Sequence, residues 1–299
     1  MGSKFVITVV DQEEAKATQY VQMAISEIKR IERVISSWDS NSETHQININ
    51  AGIQPVKVSN ELFQLIKRSI QISKITDGAF DISYASMDKI WKFDGSMQQM
   101  PSSEAIKKSI AKIGFQNIVL DEATRTVFLK KKGMKIGFGA IGKGYAADMA
   151  KTLLVSKGAK SGVINASGDL ISWGTKENGS PWKVGIVNPF NKEKIFSWFK
   201  LDDRAVVTSG NYEKFVVFNG KKYTHIIDPR SGYPVTGIHS VTIVAPKAEL
   251  ADALSTSVFV MGKETGLYLI DQLKGIECLI VDDKGKLWKS SGLKTKNNE

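Results

Sequence analysis

KIGFGAIGKGYAAD, residues Lys135–Asp148, decides the fold because it nearly fits two nucleotide-binding motifs and completes neither. Gly137, Gly139 and Gly142 have the G-x-G-x-x-G spacing that lets backbone N–H groups approach a pyrophosphate at a helix N-terminus. A dinucleotide fold also needs a preceding hydrophobic strand in a βαβ unit and an acidic residue about 20 positions on. Here the segment lies mid-chain behind Lys130, Lys131 and Lys132, and Asp169 is too far along. A P-loop needs Ser or Thr after Gly-Lys to place a hydroxyl on Mg²⁺, and Gly144 stands there instead. What remains is a glycine-rich turn, one lysine and a following helix. That pattern suits a phosphate and equally suits a plain strand-to-helix turn.

Outward from this segment, periodicity separates a helical first half from a strand-rich second half. KFVITVV (4–10) alternates as a strand, and Val21, Ile25, Ile28, Ile31 and Ile35 recur at helical spacing. A second helix is predicted from about Glu61 to Lys74, closing at Asp77-Gly78, and a short one from a Ser102 or Ser103 cap to Ile113. Residues 83–101 read as irregular. Strands are predicted near 117–120, 126–130, 162–166, 182–187, 195–201, 205–208, 214–219, 223–227, 240–245, 276–282 and 286–289. Helices interrupt them at 143–157, 249–260 and 264–273. Asn219-Gly220 reads as a hairpin turn. Helices early and strands late point to an α+β fold rather than a doubly wound sheet.

Three further clusters can carry chemistry. In Thr76–Asp81 (TDGAFD) a helix ends at a glycine and a carboxylate follows; a helix C-cap with a solvated Asp accounts for it equally well. In Tyr223–Gly232 a strand delivers His225 and turns at Asp-Pro-x-x-Gly, which suits a general base, although a lone His is more often structural. In Ala251–Thr256 a helix would place the oxygens of Asp252, Ser255 and Thr256 on one face. Hard cations such as Mg²⁺ take oxygen ligands of this kind, and an acid near a helix N-terminus is the competing explanation. Asn165–Asp169 reads as a turn after a strand, contributing backbone near a pocket.

Composition bounds the partners. The 299 residues are 42% hydrophobic and 24% charged, enough to bury a substantial core. The net charge of +10 favours anionic ligands, but it is spread without an Arg-rich arm or aromatic-basic interleaving, so no nucleic-acid partner is expected. The single cysteine, Cys278, lies in the apolar run IECLIV and is expected to be buried and inert; one cysteine allows no disulfide within the chain. No apolar run approaches the ~18 residues of a membrane span, and no signal-peptide core is present.

Taken in order, the motifs resemble those of the ApbE family of flavin transferases. Met1-Gly2-Ser3, Ser36-Ser37-Trp38, Thr76–Asp81, Gly139–Asp148, Asn165–Asp169, Thr224–Pro234 and Ala251–Thr256 match seven family motifs across almost the whole chain. The resemblance implies an α+β fold that is ApbE-like and T-fold-related, an antiparallel sheet core flanked by helices. It also implies one domain over residues 1–299, built as a single body or as two tightly coupled subdomains with FAD between them. The implied reaction moves FMN from FAD to a Thr or Ser hydroxyl of an acceptor flavoprotein, with Mg²⁺, and releases AMP. Implied metal ligands are Ala140, through its carbonyl, Asp252 and Thr256, with Ser255 where some relatives are acidic. Implied flavin contacts are Met1, Trp38, Ala79, Phe80, Asp81, Lys143 and Ile227, and His225 is the implied catalytic base. Many relatives carry Asp where this chain has Gly137, and some carry Glu at Lys143. The implied acceptors are subunits of membrane redox complexes. The implied location is the periplasm or the outer side of the inner membrane, with any leader or lipid anchor upstream. An FAD pyrophosphatase, with water replacing the acceptor, and a flavin-binding protein without turnover are the alternatives.

Overall fold

The computed structural model describes residues 2–188, 191–211, 215–218 and 220–293. Met1, the implied flavin contact, and Asn219 of the expected hairpin turn lie outside the described residues. In chain order the elements are β1 (Phe5–Val10), α1 (Glu14–Ile35), α2 (Glu43–Ile49), β2 (Val56–Lys57), α3 (Asn60–Ile75), α4 (Ser103–Ser109), β3 (Ile118–Asp121), β4 (Thr126–Leu129) and α5 (Gly142–Ser156). There follow β5 (Ser161–Ala166), β6 (Asp169–Trp173), β7 (Trp182–Asn188), β8 (Asn191–Leu201), β9 (Ala205–Gly210), β10 (Phe215–Phe218), β11 (Lys221–Thr224) and β12 (Ile238–Ala245). The chain closes with α6 (Ala248–Met261), α7 (Lys263–Asp271), β13 (Glu277–Asp282) and β14 (Leu287–Lys289). They fall into two compact units.

The first unit comprises residues 1–31, 141–210 and 237–299. Its seven-stranded sheet has the order β1-β5-β6-β9-β12-β13-β14, and every pairing is antiparallel. A parallel doubly wound sheet is thereby ruled out in favour of the α+β class. All eight residues of β12 are buried, because the sheet is covered on both faces. On one face Val206, Val244 and Leu279 pack against Ile186, Phe199 and Leu201 of the β7–β8 ribbon. α5, α6 and α7 also pack against the strands of this sheet.

Two strands escaped the sequence reading, the two-residue β2 (Val56–Lys57) and β6 (Asp169–Trp173). Asn165–Asp169 was expected as a turn alone, whereas Ser167 and Gly168, both at positive φ, form a two-residue hairpin between β5 and β6. Asp169 is the first residue of the new strand, paired with Ala166. The run Asp169–Trp173 is short and carries two polar residues, so alternation did not declare it.

The second unit comprises residues 32–140 and 211–236. It holds α2, α3, α4, the three-stranded sheet β2-β4-β3 and the β10–β11 hairpin. α3 starts where Ser59 accepts a hydrogen bond from the Leu62 N–H (3.3 Å), and it buries Leu62, Phe63, Leu65 and Ile66. It ends at Thr76, after which Asp77 (φ 49°) and Gly78 (φ 71°) turn the chain away. α2 was not expected from the sequence; the Ser42 hydroxyl caps it by accepting from the His45 N–H (2.9 Å). α4 stops at Ser109, short of the expected Ile113, and the Ser109 hydroxyl folds back onto the Ile106 carbonyl (2.7 Å).

Candidate active site

Lys135–Asp148 resolves into an irregular stretch that enters α5 at Gly142, with no strand before it. The α5 N-terminus has no side-chain cap of its own. The Gly144 N–H instead donates to the carboxylate of Asp252 on α6 (3.1 Å). Close helix contact makes this possible: a Cβ on Gly144 would lie 2.1 Å from the Ala248 carbonyl oxygen. α6 likewise lacks a cap within its own sequence, and Asp148 of α5 supplies one. The Asp148 carboxylate accepts from the Ala248 and Glu249 N–H groups, each at 2.9 Å. The acid that sits against the α6 N-terminus is therefore Asp148, while Asp252 lies a turn further in.

Asp252, Ser255 and Thr256 are gathered on α6 as their spacing predicts, and Ser209 at the end of β9 joins them. The Ser209 hydroxyl lies 2.8 Å from that of Ser255 and 3.5 Å from that of Thr256. Ser255 also donates to the Asp252 carbonyl (2.9 Å). The Lys143 ammonium, on the first turn of α5, forms a close ion pair with Asp169 and stands 3.9 Å from Asp252. Burial pushes the Asp252 carboxyl above the usual carboxylate range, and Lys143 opposes the shift. Burial, with Asp252 as like-charged neighbour, pushes Asp169 up as well.

This donor set fits a hard divalent cation. A buried carboxylate shares one helix with the hydroxyls of Ser255 and Thr256, three and four residues on, and Mg²⁺ takes oxygen ligands of this kind beside water and phosphate oxygens. Among the described residues no three His, Cys, Asp or Glu side chains cluster as a ready-made metal centre. A site here would combine one carboxylate with neutral oxygens; Ala140 lies in the turn just before α5. Asp169 and Ser209 are the members the sequence reading missed as side chains. Asp169 was visible in its motif but taken for backbone; Ser209 carried no signal, because only strand pairing sets it beside α6.

In the second unit the Thr76–Asp81 and Tyr223–Gly232 segments come together. Arg230 grips Asp228 with two nitrogens (2.9 Å each), and its aliphatic stem passes the Cα of Gly78, where an added Cβ would meet it at 3.6 Å. Gly232, at φ 76°, closes the loop by donating to the Asp228 carbonyl (2.8 Å). His225 follows β11 directly and is exposed. Ile227 is buried with Trp91 and Ile106, and Trp91 donates to the Gly232 carbonyl (2.9 Å).

Ala79 and Phe80 are buried, and the Asp81 carboxylate is engaged locally. It accepts from the Ser83 N–H (2.8 Å), the Ser83 hydroxyl (2.6 Å) and the Phe115 N–H (2.8 Å). Asp81 is thus not the solvated acid of the simpler reading: burial raises its pKa against the pull of those donors. Trp38 is 81% exposed, with the Lys89 ammonium 5.5 Å from its ring centre. At Gly137, where the resemblance implies Asp in many relatives, an added Cβ would press on the Ala85 Cβ at 3.1 Å. The side chain of Ala85 thus takes up room that an acid at this position would need.

The comparisons with known proteins agree with one another. The model of the ApbE family matches residues 1–280. The chain is 32% identical over 283 residues to an FAD:protein FMN transferase of Klebsiella pneumoniae (strain 342), covering 94% of this chain and 86% of the relative. It is 31% identical over 281 residues to an FAD:protein FMN transferase of Treponema pallidum (strain Nichols), covering 89% and 78%. Of solved structures, the ApbE protein of Thermotoga maritima matches with a TM-score of 0.87 at 33% identity, over 97% of this chain and 94% of that one. The apo form of the Pseudomonas stutzeri flavinyl transferase ApbE matches with a TM-score of 0.86 at 27% identity, over 97% and 92%. With family motifs, matched length and fold in agreement, the chain belongs to the ApbE family.

Proposed function

We propose that this enzyme transfers FMN from FAD to a Thr or Ser hydroxyl of an acceptor flavoprotein, with Mg²⁺ bound at Asp252, Ser255, Thr256 and the Ala140 carbonyl. The observation that carries the reading is the oxygen-bearing stretch Asp252–Thr256 in the middle of α6 beside the Lys143 ammonium, in a chain whose relatives are FAD:protein FMN transferases. Mg²⁺ supplies charge neutralisation on the pyrophosphate oxygens. Asp252 would hold it, with the hydroxyls of Ser255 and Thr256 and the Ala140 carbonyl as the protein's other ligands, and Lys143 would offer a further positive charge to the phosphates.

His225 takes the proton of the acceptor hydroxyl. The hydroxyl oxygen forms a bond to the FMN phosphorus as the pyrophosphate P–O bond breaks. AMP leaves with the electron pair, and the imidazolium returns its proton to solvent. The exposure of His225 suits a base that must meet a second protein. Trp38, Ala79, Phe80, Asp81 and Ile227 are assigned to the flavin.

We assign as acceptors the flavoprotein subunits of membrane redox complexes, and as location the periplasm or the outer side of the inner membrane. No helix among the described residues is long and apolar enough to cross a membrane. Mass spectrometry of an acceptor domain incubated with the enzyme, FAD and Mg²⁺ tests the reaction. One FMN gained on Thr or Ser, matched by AMP and abolished by chelation, is the expected result. Free FMN and AMP without acceptor would make the enzyme a pyrophosphatase, and intact FAD throughout would leave a binding protein. His225→Ala is expected to bind FAD yet lose at least about 100-fold in transfer rate; transfer at the wild-type rate removes the base assignment. Asp252→Ala is expected to raise the Mg²⁺ concentration needed for half-maximal transfer.

A further inference from the structure

We propose that Asp169 is a positioning residue that draws the Lys143 ammonium away from Asp252 and so leaves Asp252 open to a divalent cation. The inference rests on the cation assignment made above and goes beyond it by giving Asp169 a role. One ammonium faces two buried carboxylates, whose side chains are only 2% (Asp169) and 5% (Asp252) exposed. The placement is unequal: Lys143 is in close contact with Asp169 but 3.9 Å from Asp252.

Both partners are carried on well-defined backbone. Asp169 is held by the tight Ser167-Gly168 turn at the start of β6, and Lys143 by the first turn of α5, whose Gly144 N–H is tied to Asp252. A cation at Asp252 and an ammonium at the same carboxylate repel each other, and at these separations in a buried site that repulsion is large. With Asp169 present, the ammonium has a closer partner, and when both carboxyls are ionised the three groups together carry one net negative charge. Without the Asp169 charge, Asp252 is the carboxylate left to Lys143 within this trio, and the trio is neutral. An incoming cation would then have to displace the ammonium.

Mn²⁺ binding to the full chain without FAD, followed by electron paramagnetic resonance, tests this independently of turnover. Asp169→Asn is expected to weaken Mn²⁺ binding about tenfold, and Lys143→Met to tighten it several-fold. The Asp169→Asn, Lys143→Met double variant, which again carries one net negative charge, is expected to return to within about threefold of the wild type. Such rescue is a readout that loss of a merely structural contact would not give. A double variant as weak as Asp169→Asn alone would make Asp169 a direct ligand and overturn the proposal. So would Lys143→Met binding Mn²⁺ no more tightly than the wild type, a result that holds even if Asp169→Asn fails to fold. Wild-type protein that takes up no Mn²⁺ would remove the cation assignment itself, whereas normal wild-type binding with unresponsive variants would remove only the role of Asp169.

Discussion

Gly144 shows how one residue couples the glycine-rich turn to the oxygen cluster. Its missing Cβ lets the backbone of α5 approach α6, so that its N–H reaches Asp252 while the Ala248 carbonyl fills the space a side chain would take. An added methyl would lie 2.1 Å from that carbonyl oxygen and 2.8 Å from the Glu249 nitrogen, both backbone atoms that cannot rotate aside. Gly144→Ala is therefore expected to cost about 3 kcal/mol or more, at the upper end of overpacking penalties, and to weaken divalent-cation binding with it. Thermal melting checks the first part, and a melting point unchanged from wild type would refute the packing argument. The family motif marks this glycine in the sequence, but the motif does not say what occupies the space beside it.

At the scale of elements, the α5–α6 pair exchanges end groups. Asp148, in the middle of α5, caps the N-terminus of α6, which has Lys247 at its own cap position. Burial raises the Asp148 carboxyl to about 6 despite the two N–H donors. A carboxyl with its folded-state pKa raised contributes stability that is full below the unfolded value near 4 and is lost as pH climbs through about 6. Relative to Asp148→Asn, the wild type should thus lose stability between pH 4 and pH 7, by at most about 3 kcal/mol. Denaturant unfolding at the two pH values measures it, and a difference between the proteins that does not move with pH would count against the assignment. Asp148→Ala, which strands two backbone donors, is expected to cost about 1–3 kcal/mol at pH 4, and the difference from wild type shrinks as pH rises through about 6.

Legibility in the sequence followed the strength of local signals. α3 and α6 were readable because apolar residues recur at helical spacing over many turns, and α3 is bounded by Ser59 and Gly78. β6 was not, since five residues with mixed polarity become a strand only when β5 and β9 lie on either side. α2, seven residues long, is too short for periodicity to show. At the site, Asp252, Ser255 and Thr256 could be grouped from spacing on one helix, whereas Asp169 and Ser209 reach it from other elements.

At the scale of the whole molecule, the chain carries ten more positive than negative side chains. Its proposed substrate is an anion, so FAD association is expected to slow as ionic strength rises, several-fold between about 0.01 and 0.15 M, as the screening length falls from about 30 to 8 Å. Stopped-flow flavin fluorescence would measure it, and a salt-independent rate would show that the net charge does not steer the substrate. The sequence by itself determined the class of fold, because helical periodicity and turn-forming glycines act over a few neighbouring residues, and the order of its motifs carried the resemblance to the family. Only the tertiary structure decided that Lys143 rests closer to Asp169 than to Asp252, that Asp148 rather than Asp252 caps α6, and that Ser209 joins the hydroxyl pair. Those outcomes depend on which backbones can approach within hydrogen-bonding distance, and that is fixed by sheet register and helix packing between residues far apart in the chain.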